Sequence, residues 1–197
     1  MWTALGGMGR PEPFPVPRSP GSLGPPLPIG RGGDAAREGG TRALVLALDS
    51  VTDPGNLGAI VRSAVFFGAA GVVLSEHDCA AVNAAVVRRS AGAVFKCRVA
   101  RVPNLSRALA RMKEAGFWVY GTFPAEGRPL PEVRFEAKSV VVLGAEGKGV
   151  RPGVRKQCDF PITLAGGFES LNVAAFASVV LYAFRDVEAG EIGRAHV

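Results

Sequence analysis

Residues Ile162 to Phe184 read ITLAGGFESLNVAAFASVVLYAF, a loop with two glycines that runs into a long apolar helix. Ser170 is a natural N-cap, because its hydroxyl can accept a bond from an orphan N–H of the first helical turn. This predicts a helix beginning near Leu171. From Val173 to Phe184 only Ser178 interrupts the apolar run, so the helix has almost no polar face and is expected to be buried all round. It is shorter than the roughly 20 apolar residues that a membrane span needs. Protein must therefore cover it, and a second subunit is one way to do so. Glu169, Ser170 and Asn172 gather at the mouth of this helix, where burying each without a partner would cost about 1–3 kcal/mol. They read either as helix caps or as a site.

Upstream of this stretch, apolar runs and helical stripes alternate. Ala43 to Leu48 is a near-continuous apolar run, as in a strand buried on both faces of a parallel sheet. Leu57 to Phe67 is predicted as a helix with Ile60, Ala64 and Phe67 on one stripe and Gly68 as its left-handed cap. Strands are expected at Gly71 to Leu74, Val94 to Val99, Phe117 to Gly121, Ser139 to Leu143 and Phe160 to Leu164. Helices are expected at Asn83 to Arg89, from Asn104 to Gly116, and from Pro152 to Cys158. The order predicts an α/β fold, a mostly parallel sheet with helices on both faces.

The chain of 197 residues is about one domain, and its 48% hydrophobic content suffices for a core. Residues 1–41 are dense in Pro and Gly and read as a disordered arm; residues 42–188 hold the folded domain. An Arg-bearing, acid-poor start also allows an organellar transit peptide, although its prolines oppose the amphipathic helix such a signal uses. Residues 189–197 read as a non-native tail, since EIGRAHV (Glu191 to Val197) resembles the translation of a sequencing adapter. The net charge of +6, with +2 of it before residue 43, points to polyanions such as RNA as partners. Cys79, Cys97 and Cys158 lack metal-ligand or disulfide spacing, which indicates no metal and a reducing, cytoplasmic setting, with mitochondrion or plastid as the alternative. No run is apolar enough for a membrane span.

Three loops follow strands at the carboxyl edge, where open α/β sheets place ligands. In the first, Asp49 to Gly58 (DSVTDPGNLG), Pro54-Gly55 forces a turn and Asn56 begins the helix that carries Arg62. An inward-facing arginine there wants a phosphate, or a structural partner in Asp49 or Asp53. The second, Gly144 to Gly149 (GAEGKG), combines glycines that let a backbone approach a ligand with the acceptor Glu146. The third is Ala165 to Asn172. Each is ambiguous by itself, but all three converge on one edge.

The series D-x-x-x-D-P-x-N-x-G-A-I-x-R-S-A (Asp49 to Ala64), V-L-G-x-E-G-x-G (Val142 to Gly149) and S-L-N-V (Ser170 to Val173) resembles the three ordered motifs of the SpoU/TrmH family of RNA 2′-O-ribose methyltransferases. The resemblance covers about Ala43 to Phe184. It implies a C-terminal trefoil knot (the SPOUT, or alpha-beta knot, fold), S-adenosylmethionine as methyl donor, and a homodimer. The substrate would be structured RNA, ribosomal RNA in preference to transfer RNA. Arg62, Asn56, Glu146, Ser170 and Asn172 fall on the family's catalytic positions, and Thr122, Gly144, Ile162 and Leu171 on its cofactor-binding positions. Many relatives carry an N-terminal RNA-binding domain in place of the arm. The rival reading is a nicotinamide oxidoreductase with Glu76 as its ribose acid, but no G-x-G-x-x-G follows the first strand.

Overall fold

The computed structural model describes residues 42–124, 126–145, 149–164 and 171–192, with side chains as far as 185. The elements are β1 (Ala43–Asp49), α1 (Pro54–Phe67), β2 (Gly71–Ser75), α2 (Ala84–Arg89), a 3-10 turn (Ala93–Phe95), β3 (Val99–Val102), α3 (Leu105–Glu114), β4 (Trp118–Thr122), β5 (Arg128–Pro129), a second 3-10 turn (Leu130–Glu132), β6 (Lys138–Gly144), α4 (Pro152–Arg155), β7 (Phe160–Thr163) and α5 (Val173–Ile192). The strands form one sheet in the order β3-β2-β1-β6-β4-β7-β5, and every ladder is parallel. Strand order reverses direction beside β1, so the loops after β1 and β6 open into the crevice at that switch point.

Alternation along the strands explains the layers. Leu44, Leu46 and Leu48 of β1, with Val141 and Leu143 of β6, face α1, α2 and α5. Val45 and Ala47, with Val140 and Val142, face Leu105 and Leu109 of α3 and Val154 of α4. Both sheet faces are covered, which is why β1 reads as an unbroken apolar run. On α1, Leu57, Ile60, Val61 and Ala64 are buried, and Gly68 closes the helix in the left-handed conformation at φ 75°. Each fully buried aliphatic side chain of this kind contributes about 1.5–3 kcal/mol of transfer free energy.

Several expectations need correction. Residues Val94 to Val99 are not a strand: Gly92, at φ 78°, turns the chain into the 3-10 segment, Val94 drops into the core, and β3 starts only at Val99. An apolar run this short does not distinguish the two. Strand β5 has two exposed residues and so no periodic signal; Gly127, at φ 113°, lets it lie so close to β7 that a Cβ would stand 2.4 Å from the carbonyl carbon of Pro161. Helix α4 stops at Arg155, short of Cys158. Helix α5 starts at Val173 rather than Leu171, continues to Ile192, and is not buried all round, since Val179 and Tyr182 are exposed on one stripe. Among the described residues no helix is long and apolar enough to cross a membrane. The boundary expected at 1–41 and the end of the predicted tail, 193–197, lie outside the described residues.

Candidate functional site

Strand β1 delivers Asp49 to the sheet edge with no solvent exposure. Its carboxylate accepts from the Arg151 backbone N–H at 2.8 Å and from Arg151 Nε at 2.6 Å. The same guanidinium pairs through Nη1 with Asp78, which also accepts from Ser75 Oγ at 2.9 Å. This chain of contacts joins the ends of β1 and β2 to the residue that leaves the glycine loop. The Ser75 hydroxyl, then Arg151, hold the Asp78 carboxyl below its ordinary pKa. Burial works against the Arg151 charge, but its bonds to Asp49 and Asp78 outweigh that and raise its pKa.

Beyond Asp49 the chain turns on Ser50, whose φ of 65° is unusual for a residue with a side chain. Asp53 then caps α1 by accepting from the Asn56 N–H at 2.7 Å, with Pro54 in the first turn. Asn56 Oδ1 in turn accepts from Asn172 Nδ2 at 3.0 Å. Asn172 Oδ1 accepts from the Ala174 N–H at 2.9 Å, so Asn172 caps α5. A turn later, Ser178 Oγ donates to the Ala174 carbonyl at 3.1 Å and therefore receives the proton of Ser63 Oγ at 2.8 Å. Two side-chain contacts thus fasten the first loop and its helix to the third.

Arg62 is exposed and does not face inward. At helical spacing, position 62 lies opposite the buried stripe of Leu57, Ile60, Val61 and Ala64. Nor is it the partner of Asp49, whose buried carboxylate belongs to Arg151, or of Asp53, which is occupied as the cap. Among the described residues Arg62 has no ion pair. Arg151 is the residue the sequence did not reveal, because an arginine in a loop before a proline carries no periodic signal.

The remaining candidates lie on adjacent strands. Gly144 ends β6 in register with Asp49, and a Cβ there would stand 2.3 Å from the Gly149 carbonyl carbon, so only glycine lets the loop fold back. The fold-back is held by the Gly149 N–H donating to the Ala145 carbonyl at 2.9 Å. Thr122 ends β4 opposite Ile162 of β7, and its hydroxyl donates to the Val142 carbonyl at 2.9 Å. The Ile162 side chain is only 1% exposed, so only its backbone can meet a ligand. Leu171 is exposed directly before the α5 cap. Glu146 and Ser170 lie outside the described residues.

Comparison with known proteins agrees with this arrangement. The model of the SpoU rRNA methylase family matches residues 43–182. This chain belongs to that family. A Synechocystis protein named as an uncharacterized tRNA/rRNA methyltransferase is 42% identical over 151 residues, covering 76% of this chain and 39% of its own length. The chain thus spans well under half of that relative. Among solved structures, a TrmH-family protein from Porphyromonas gingivalis superposes with a TM-score of 0.69 at 33% identity, over 78% of this chain and 63% of the other. The SpoU methyltransferase AviRb from Streptomyces viridochromogenes, solved with AdoMet, gives 0.69 at 28% identity over 76% and 59%. Family membership displaces the nicotinamide alternative. Glu76 instead lends its backbone carbonyl to Arg101.

Proposed function

We propose that the chain transfers the methyl group of S-adenosylmethionine to a ribose 2′-hydroxyl of RNA, ribosomal RNA in the first instance. The observation that carries this reading is the Asn172 to Asn56 hydrogen bond, which draws together two motifs separated by more than half the chain. Family membership and the AdoMet-bound neighbour support the cofactor. The residues suit it chemically: Thr122, Gly144 and Ile162 set backbone donors and acceptors at the ends of neighbouring strands, and Leu171 adds an exposed apolar contact. Such a set reads an adenine edge and an aliphatic chain without charged ligands. When bound, the cofactor supplies an electrophilic methyl on a sulfonium.

The protein's share is positioning. Asn172 and Asn56 hold the first and third loops at a fixed separation, and Arg151 fastens the glycine loop to Asp49. Arg62 projects from α1 with its guanidinium open, the state in which a planar fork grips phosphate beside the reacting ribose. An arginine keeps its proton in water, so in this reading Arg62 clamps that phosphate and is not the base. Ser170 and Glu146 are assigned by resemblance to orienting the ribose and the glycine loop. Holding reactants in attack geometry can supply about 7–11 kcal/mol.

The functional unit in this reading is a homodimer with a C-terminal knot. Phe66 of α1 is 74% exposed, and Val179 and Tyr182 of α5 are 38% and 58% exposed; the two helices are joined through Ser63 and Ser178. So much exposed apolar surface on one helix pair is what a second copy would cover. The knot is supported by strand order, since β6 enters between β1 and β4, and β7 between β4 and β5.

The experiment is incubation with methyl-labelled S-adenosylmethionine and either ribosomal or transfer RNA, followed by nuclease digestion and mass spectrometry of nucleosides. Label on ribose, with ribosomal RNA the better acceptor, is expected. Label confined to bases would overturn the reaction, and label confined to transfer RNA the substrate.

A further inference from the structure

Between Asp78 and Glu114 the chain carries eight Lys and Arg and no acidic residue, more positive charge than the +6 of the whole protein. All eight are exposed. They lie on α2, between the 3-10 turn and β3, on β3 and on α3, so they surround the β3 end of the sheet, where the order terminates. Lys113 is paired with Asp159 and Arg101 reaches the Glu76 carbonyl. Among the described residues Arg88, Arg89, Lys96 and Arg98 have no ion-pair partner. Charge on a bare strand edge discourages pairing with another chain, but of the eight only Arg101 lies on β3 itself. This concentration exceeds that need.

Two further observations give the patch a direction and a ligand. Phe95, between these cations, is 64% exposed on the 3-10 turn. An aromatic face beside unpaired cations is how single-stranded nucleic acid is held, by stacking together with phosphate contacts. At the other end, α2 packs against α1 where Gly58 leaves room: a Cβ on Gly58 would stand 2.7 Å from Arg89 Cβ. Arg62 is four residues beyond Gly58, on the same side of α1. Arg89 therefore emerges one helical turn from Arg62, and the patch runs on into the candidate site.

We infer that Arg88, Arg89, Lys96 and Arg98, with Phe95 as a stacking platform, form a track for the single-stranded RNA flanking the target nucleotide. The inference rests on the RNA reading above and adds where on this chain the RNA lies. Phosphates of the flanking strand bind the four cations, one base stacks on Phe95, and the strand reaches Arg62 past Arg89.

The test is fluorescence anisotropy of a labelled oligouridine across a salt series, on the full chain and on R88Q/R89Q, K96Q/R98Q and Phe95→Ala. Each double variant is expected to make the log Kd against log salt slope shallower by about 1.4, two phosphate contacts at about 0.7 each. Phe95→Ala is expected to weaken binding about 5- to 150-fold with no change in slope. Lys113→Gln, already ion-paired, is expected to match the parent slope. S-adenosylmethionine affinity and urea midpoint confirm that each variant is folded. Parent-like slopes in both double variants would overturn the track, as would polyglutamate competing as well as RNA, which would assign the patch to an acidic protein. The two readings fail separately. Methyl transfer with unchanged KM in both doubles removes the track and keeps the enzyme, whereas altered slopes without methylation of any RNA keep the track and remove the enzyme.

Discussion

Asn172 gives its amide N–H to Asn56 Oδ1 at 3.0 Å while its own Oδ1 caps α5 on the Ala174 N–H at 2.9 Å. One side chain thus starts the last helix and ties it to the loop after the first strand. Serine can keep the first role but is too short for the second. Asn172→Ala is expected to cost about 1 kcal/mol through the lost cap. Asn172→Ser should stay within about 0.5 kcal/mol of the parent by urea denaturation and still lose most single-turnover methyl transfer. A fully active Asn172→Ser would show that the tie to Asn56 does not matter.

Arg62 supports no buried group, so its removal should be a clean probe of substrate binding. Arg62→Ala is expected to change stability by less than about 0.5 kcal/mol, as for other exposed positions. Methylation should fall to background while calorimetry gives an unchanged S-adenosylmethionine affinity. Lysine should not restore activity, because an ammonium lacks the planar fork. A folded Arg62→Ala with parent turnover would end the assignment.

The opposite is expected at Arg151. Its removal leaves the buried Asp49 carboxylate without its guanidinium. Breaking a fully buried pair costs about 3–5 kcal/mol. Arg151 itself is 42% exposed, so water compensates in part and about 2–3 kcal/mol is expected for Arg151→Met. Combining it with Asp49→Asn should cost less than the two single losses added together, because the stranded charge is gone. Additive losses in urea denaturation would show that the pair is not coupled.

Acid should act through Asp78. Its folded-state pKa is depressed, first by Ser75 and then by Arg151. A depressed carboxyl contributes stability that is present above its unfolded value and is lost as pH falls through its folded value. The parent should therefore lose more stability than Asp78→Asn as pH falls through and below the ordinary aspartate value of about 3.9. Parallel curves of urea midpoint against pH would contradict this.

The exposed side chains Phe66, Val179 and Tyr182 should hold two copies together. Sedimentation at micromolar concentration is expected to give a dimer for the parent and a folded monomer for Val179→Glu combined with Tyr182→Glu. A monomeric parent that methylates RNA would remove the dimer from the reading.

What the sequence determined by itself is local and periodic. The apolar run of β1, the cap and stop of α3 at Asn104 and Ala115 to Gly116, and Gly68 closing α1 all follow from side-chain spacing and backbone preference, which neighbouring residues decide. The loop motifs were legible too, since their order is a property of the chain. The tertiary structure alone decided who meets whom. Arg62 was expected to face inward, toward phosphate or an aspartate, yet Asp49 went to Arg151 and Arg62 to solvent, because α1 packs on the core through Leu57, Ile60, Val61 and Ala64, and Arg62 lies opposite them at helical spacing. Asn172 likewise took up the cap of α5, and the segment at Val94 became a turn rather than a strand. These outcomes depend on contacts between residues as many as 116 positions apart, as Asn56 and Asn172 are, and no window of sequence contains both partners.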